Sequence, residues 1–425
     1  VQDLAATLKQ YWGYSEFRPR QEAIIRCLLD GRDLAAVLPT GGGKSLCYQL
    51  PAVAAGKTCV VISPLISLMD DQAAQLAQKG IPAACLHGNI DWETQKKTWR
   101  RALRGELRLL YLSPERMAKE DTVQMLKKVG VSWFAIDEAH CISEWGHEFR
   151  PEYRQLGQLR DHFPEAAIAA FTASATPRVR RDILRLLKLK DPSKFIVSFH
   201  RPNLRYISLD ASRKDQFRLL LAALGQHEGH SVIVYDSTIK GVEETHLGLL
   251  AHGIPAAIYH GKLEATQRQQ NQEKWMANEA RVMVGTLAFG LGINKPDTRA
   301  VIHLALPKSI EQYYQEAGRA GRDGLEADCI LLWRRRDLPL LIHFIEQLED
   351  EAEKRRAWQR WREVKEYAEG DRCRARTICE HFGETPKWDE CGKCDVCAGD
   401  LPWLKDQKVK SRKNVQTRSR SSRRV

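Results

Sequence analysis

The chain has 425 residues, 43% of them hydrophobic and 28% charged, and a net charge of +12. That length exceeds one ordinary core and predicts two to three domains, and no apolar run is long enough to cross a bilayer. Val1-Gln2-Asp3-Leu4 carries no charged-then-apolar leader pattern, so the expectation is a protein of the bacterial cytoplasm or nucleoid with no membrane partner. Eleven cysteines are scattered through apolar segments, apart from one cluster near the C-terminus. That is the usage of small buried hydrophobes rather than of a disulfide framework. The charge is uneven. Over residues 405–425, nine Lys/Arg against one Asp carry +8 of the +12. This predicts a disordered basic arm over 403–425, read equally well as a nucleic-acid-binding segment or as a solvated, purely solubilising end, and a folded body that is only mildly basic.

Residues 1–30 read as helical, with Leu4, Leu8, Tyr11 and Trp12, then Ile24, Ile25, Leu28 and Leu29. Between these runs the Gln21 amide can both donate to and accept from a base edge, and Tyr14 and Arg18 offer planar faces for stacking. The apolar run 34–38 leads through Pro39 into Thr40-Gly41-Gly42-Gly43-Lys44-Ser45 and then a helix. Three glycines without Cβ let the backbone curl round an anion, and the helix adds its unpaired N–H groups. Lys44 can reach the β- and γ-phosphates and the Ser45 hydroxyl can ligate Mg²⁺, so the loop reads as a nucleoside triphosphate site. It departs from the strict phosphate-loop pattern at Leu38, where that pattern has glycine.

Short buried strands follow at 59–63, 107–112, 132–136 and 167–171, separated by helical stretches. Such alternation predicts a parallel sheet with helices on both faces and a ligand beyond the C-terminal strand ends. At one of these ends stands Asp137-Glu138-Ala139-His140. Asp137 can hold Mg²⁺ there, and Glu138 can orient and deprotonate a water attacking the γ-phosphate. The next loop, 141–153, packs Trp145, His147, Phe149, Arg150 and Tyr153 closely together. Aromatics interleaved with Arg suit stacking on unpaired bases.

The pattern weakens over 195–212, read as the crossing between domains. A second alternating series has strands at 231–235, 256–259, 281–284, 300–304 and 329–333, with glycine-rich loops at 285–297 and 312–324. Arg319 and Arg322, three apart, can reach one anion from a shared helical face. The second series has no phosphate loop of its own, so the pair makes best sense as completing the first domain's site in the manner of an arginine finger. A charged helical stretch over 336–369 contains Trp358 and Trp361 among arginines. Cys391, Cys394 and Cys397 then give doubled C-x-x-C spacing, which with one upstream thiolate suits Zn²⁺. Spacing leaves Cys373 and Cys379 as competing fourth ligands.

Together these motifs resemble the RecQ family of DNA helicases within helicase superfamily 2, from Leu4 to about residue 402. The segment from Ala139 through Trp145-Gly146-His147 to Tyr153 is the most specific part of that resemblance. It implies an α/β fold of two tandem RecA-like parallel-sheet domains, 1–200 and 201–335, followed by a small helical zinc-binding module, 336–402. It implies that Tyr14, Arg18 and Gln21 bind adenine, that Thr40, Gly41, Gly42, Gly43, Lys44 and Ser45 hold the phosphates and Mg²⁺, and that Asp137 and Glu138 serve metal and water. Trp145, His147, Phe149, Arg150 and Tyr153 would couple single-stranded DNA to hydrolysis, with Arg322 as the finger and Arg319 its neighbour. Counting back from Phe382-Gly383-Glu384, the family pattern selects Cys373 to join Cys391, Cys394 and Cys397 on zinc. The implied activity is ATP-driven 3′–5′ translocation and duplex unwinding in recombination, repair and replication. ATP, Mg²⁺ and Zn²⁺ would be the cofactors, single-stranded and duplex DNA the substrates, a single-stranded-DNA-binding protein a partner, and a monomer the active form. Many members continue into a winged-helix domain. This chain instead runs into the basic arm, so the expectation is reduced processivity with some duplex affinity moved to the arm. An RNA-remodelling ATPase shares the same engine. A non-enzymatic zinc-containing DNA-binding protein is the other alternative, opposed by intact Lys44, Asp137, Glu138 and Arg322.

Overall fold

The computed structural model describes residues 3–211, 213–286, 295–399, 401 and 403. Most of the glycine-rich loop expected at 285–297 and nearly all of the basic arm lie outside these residues. Among the described residues two parallel sheets form, one after the other.

The first contains β1 (Leu34–Val37), β2 (Cys59–Ile62), β3 (Ala83–Leu86), β4 (Leu109–Leu112), β5 (Trp133–Ile136), β6 (Ala167–Thr172) and β7 (Ser193–Ile196), in the order β3-β4-β2-β5-β6-β1-β7. The second contains β8 (Leu204–Asp210), β9 (Ser231–Tyr235), β10 (Ala256–Tyr259), β11 (Val282–Gly285), β12 (Thr298–His303) and β13 (Ala327–Trp333), in the order β10-β11-β9-β12-β13-β8. β2, β4, β5 and β6 are buried at every position, because helices cover both faces of the sheet. Covered strands need apolar residues throughout rather than in alternation.

The crossing is narrower than 195–212. β7 reaches Ile196 as one edge of the first sheet, and β8 starts at Leu204 as one edge of the second. β7 is half-buried only at alternate positions and places Ser193 and Lys194 before Phe195 and Ile196, so it lacks a clean strand signal. Buried Asp33, just ahead of β1, ties these strands together. It accepts from Ile168 N at 2.9 Å and Lys190 N at 2.6 Å and pairs with Arg160.

Helices Leu338–Glu346, Glu351–Glu369 and Arg374–His381 and the cysteine-bearing loop follow the second sheet. Fully buried Arg374 staples that loop in place. Its Nε and Nη2 donate to the two Asp395 carboxylate oxygens at 2.9 Å each, and its Nη1 donates to the Tyr367 carbonyl. The module grips the crossing itself. Phe382 stacks on Phe199 at 4.3 Å and 8°, and Glu384 accepts from Ser198 Oγ at 2.6 Å and Phe199 N at 2.8 Å. No helix among the described residues is long and apolar enough to cross a membrane.

Candidate functional site

β1 ends in a backbone bond from Leu38 N to Thr172 O at 3.0 Å, and the chain then turns into the glycine loop. Leu38 is buried in the core, so the position where the strict pattern has glycine is the last rung of the sheet. The curl comes after it. Gly41 and Gly43 sit at φ 77° and 76°, and a Cβ on Gly42 would lie 2.8 Å from the Pro39 carbonyl oxygen. Helix Lys44–Ala55 starts immediately after Gly43, so its free N–H groups face the loop. Gln21 braces the loop from outside. Its Nε2 donates to Gly43 O at 3.2 Å, its Oε1 accepts from Arg18 N at 2.8 Å, and Arg18 Nη1 donates to Gly41 O. Tyr14 is 57% exposed, which leaves its ring open for stacking.

β5 delivers Asp137 and Glu138 to the same end of the sheet. Glu138 occupies the left-handed region (φ 46°, ψ 44°), unusual for a residue with a Cβ and of the kind that accumulates at functional sites. Asp137 Oδ1 accepts from Glu138 N at 3.0 Å. Burial, with Glu138 alongside, pushes the Asp137 carboxyl up, and Lys44 opposes this. Burial would also raise Glu138, but Lys44 and His140 hold it well below the usual carboxylate range. Buried Asp137 and partly buried Glu138 beside one lysine fit a further cation, and an oxygen-seeking ion such as Mg²⁺ suits Asp137 with Ser45.

The aromatic loop is fastened to this strand end. Tyr153, fully buried, donates from its hydroxyl to Asp137 O at 3.0 Å, and Arg150 N donates to Cys141 O at 2.9 Å. His147 stacks on His140 at 4.5 Å and 10°, and His140 lies 3.3 Å from Glu138. Burial and His140 push His147 down to about 4, so it is neutral near pH 7. Trp145, Phe149 and Arg150 stay partly exposed. The loop therefore divides into anchors, Tyr153 and His147, and a face available to a ligand.

Arg322 comes from the other sheet. A Cβ built on Gly41 would sit 3.3 Å from Arg322 Cγ, so the arginine lies against the phosphate loop. Burial, and then Arg319 beside it, pushes Arg322 below its ordinary value. Crowded buried guanidinium groups suit an incoming polyanion. The pair does not share a helical face as expected. Helix Ile310–Ala317 ends first, and both arginines stand in the turns that follow Gly318. Gln315, on that helix, donates to Ser174 Oγ at 2.8 Å across the cleft. Arg201, in the crossing, was not singled out by the sequence. Its guanidinium donates to Thr40 O at 3.1 Å in the loop and to Gly321 O at 2.9 Å beside Arg322. Its only sequence signal is a charged residue in an otherwise weak Pro/Asn stretch.

The cysteines form a separate centre. The Sγ atoms of Cys373, Cys391, Cys394 and Cys397 all lie within 4.8 Å of one another, with Cys394 and Cys397 at 3.4 Å. Tetrahedral zinc with bonds of about 2.3 Å separates its sulfurs by about 3.8 Å, so this donor set fits the ion. Cys379 is buried but stands outside the cluster.

Comparison with known proteins agrees with this geometry. Residues 18–183 match the DEAD/DEAH box helicase family, 215–324 the helicase conserved C-terminal domain, and 335–398 the RecQ zinc-binding family. The chain is 41% identical over 97% of its length to the ATP-dependent DNA helicase RecQ of Haemophilus influenzae, and it covers 66% of that protein. It is 36% identical to a putative ATP-dependent RNA helicase of Acanthamoeba polyphaga mimivirus, over 98% of this chain and 76% of that one. Among solved structures, helicase Lhr of Mycobacterium smegmatis bound to single-stranded DNA and AMP-PNP superposes with a TM-score of 0.61 at 19% identity. The superposition covers 79% of this chain and 48% of Lhr. The chain thus spans just under two thirds of the Haemophilus relative's length. Because the likeness runs through both sheets and on into the cysteine cluster, the chain belongs to the RecQ family of helicases.

Proposed function

We propose that this chain is an ATP-dependent DNA helicase. ATP is hydrolysed between the two sheets, and the cycle moves single-stranded DNA 3′ to 5′ and unwinds duplexes in recombination, repair and replication. The observation that carries this reading is Arg322 lying against Gly41, because a hydrolysis site completed by the second domain ties phosphate chemistry to relative domain motion. In this reading Tyr14, Arg18 and Gln21 hold adenine, and Thr40 to Ser45 hold the phosphates. Lys44 and Arg322, with Arg319 beside it, stabilise charge on the γ-phosphate, and Glu138 takes a proton from the attacking water. Mg²⁺, held by Ser45 and Asp137, neutralises phosphate charge when bound. Trp145, Phe149 and Arg150 meet the DNA strand, with His147 and Tyr153 anchoring their loop. Cys373, Cys391, Cys394 and Cys397 hold zinc, which orders the module. We assign the units as 1–200, 201–335, 336–402 and 403–425. The protein acts as a monomer in the cytoplasm or nucleoid, with a single-stranded-DNA-binding protein as partner.

The test measures ATP hydrolysis with and without single-stranded DNA or RNA, then strand displacement on 3′-tailed, 5′-tailed and blunt duplexes. Stimulation by DNA and displacement of only the 3′-tailed duplex are expected. Stimulation by RNA alone would overturn the reading in favour of an RNA-remodelling ATPase, the alternative suggested by the name of the mimivirus relative.

A further inference from the structure

Helix Glu351–Glu369 has two different faces. Val364, Tyr367 and Ala368 are buried in the core. Towards the N-terminus, Arg355, Trp358 and Arg362 follow one another at intervals of three and four, which puts them on one face with Trp361 beside them. This face and Trp145 of the aromatic loop line a cleft of about 730 Å³.

Its chemistry is not that of a core. Trp358 and Trp361 are partly exposed and meet edge to face at 5.3 Å and 86°. The indole N–H of Trp361 has no hydrogen-bond acceptor. The arginines of the helix divide into two sets. Arg356 and Arg360 both pair with Glu353, and Arg356 also reaches Glu144 at 3.3 Å. Arg355 and Arg362, both exposed, form no ion pair among the described residues. Two indole rings flanked by two guanidinium groups without carboxylate partners offer stacking to flat rings and charge to phosphates. Duplex DNA hides its base faces, so the ligand that uses both features is single-stranded.

We propose that this cleft is a second single-stranded DNA subsite. It takes about two nucleotides, one base per partly exposed indole, with phosphates on Arg355 and Arg362. The proposal rests on the reading of the chain as a DNA helicase and adds a contact surface on the cysteine module. It also gives the strand a continuous route. Trp145 closes one end of the cleft, with the Arg178 guanidinium 3.1 Å from its ring centroid, and two residues further on His147 stacks on His140 beside Glu138. A strand seated in the cleft therefore touches the loop that is packed on the hydrolytic carboxylates.

The test uses the full chain and a fluorescently labelled oligo(dT), with anisotropy measured over a range of salt concentrations. The variants are the pair Trp358→Ala/Trp361→Ala and the pair Arg355→Gln/Arg362→Gln. Zinc content and circular dichroism verify that each folds, and the arginine pair is exposed enough to leave the core untouched. The tryptophan pair is expected to weaken binding by at least about fivefold. The arginine pair is expected to lower the slope of log affinity against log salt by about 1.4, or 0.7 per lost phosphate contact. Binding within about twofold of the unsubstituted chain in both pairs, with an unchanged slope, would overturn the proposal. Tighter binding of oligo(U), with a larger loss in the variants, would overturn the assignment to DNA. An unsubstituted chain that neither binds single strands nor hydrolyses ATP faster with them would instead sink the helicase reading itself.

Discussion

Arg201 is the residue whose loss should most directly loosen the two sheets from one another. It belongs to the crossing, yet its guanidinium bonds to Thr40 O in the phosphate loop and to the carbonyls of Ala320 and Gly321 in the arginine turn. Replacing it with alanine removes all of these donors. The Gly321 carbonyl keeps Asn203 Nδ2 at 2.9 Å, whereas Thr40 O loses its donor at 3.1 Å, and of these bonds that to Thr40 is the one that spans the cleft. A hydrogen bond from a charged donor contributes about 1.5–3 kcal/mol, and a half-buried guanidinium belongs at the lower end. About 1.5 kcal/mol corresponds to a closed-to-open ratio lowered roughly tenfold. Energy transfer between one fluorophore on each sheet domain, with an ATP analogue and single-stranded DNA present, reads that ratio directly. Arg201→Lys keeps the charge but cannot fork across several carbonyls, so it should fall between wild type and Arg201→Ala. A ratio within about twofold of wild type for Arg201→Ala would refute the claim that this residue brackets the cleft.

Three further outcomes are expected. Glu138→Gln should lower the DNA-stimulated hydrolysis rate by about 10²–10⁴ while ATP binding persists, as measured by steady-state hydrolysis and nucleotide titration, because only proton transfer is lost. Cys373→Ser should release zinc and Cys379→Ser should retain it, as measured by metal content after chelator challenge, and zinc loss from Cys379→Ser would place the fourth ligand wrongly. The third concerns the ion pair of His381 with Glu311, at 2.9 Å, which joins the cysteine module to helix Ile310–Ala317. Burial would raise Glu311, but His381 outweighs it and pulls the carboxyl down to about 2, and Glu311 in turn raises His381 against its own burial. The Glu311 contribution is present above its unfolded value of about 4.3, and that of His381 is complete below about 6.5 and fades as pH rises through its raised folded value. The difference in thermal midpoint between wild type and His381→Gln should therefore be larger at pH 6 than at pH 9, and an equal gap at both would rule this pair out as the cause.

What the sequence made legible was whatever local chemistry writes in one place. β2, β4, β5 and β6 announce themselves because strands covered on both faces must be apolar throughout, and the glycine loop and Asp137-Glu138 are each contiguous. The edge strands β7 and β8 are less visible, since half-covered strands can mix polar and apolar residues. The contacts that assemble the site were invisible for a different reason. Arg201 to Thr40 and Glu384 to Phe199 N span more than 150 residues, and nothing local separates either side chain from an ordinary surface charge. The triplet Phe382-Gly383-Glu384 was useful in the sequence only as a ruler for Cys373. In the structure it is the clasp of the cysteine module on the crossing.

That clasp changes how the cysteine module should be understood. A module that merely followed the second sheet could be displaced without consequence for hydrolysis. Here Phe382 and Glu384 hold the segment whose next residues include Arg201, and Arg180, on the first domain's helix Pro177–Leu186, donates to Phe382 O at 2.8 Å. The same module carries Arg356, paired with Glu144 one residue before Trp145. It therefore touches the aromatic loop, the first domain and the crossing together. Small shifts in a close-packed clasp of this kind resolve into alternative packings rather than a continuous drift. The physical consequence is that the cysteine module supports more than its own folding, because the position of Arg201 beside the glycine loop depends on a crossing that this module holds in place.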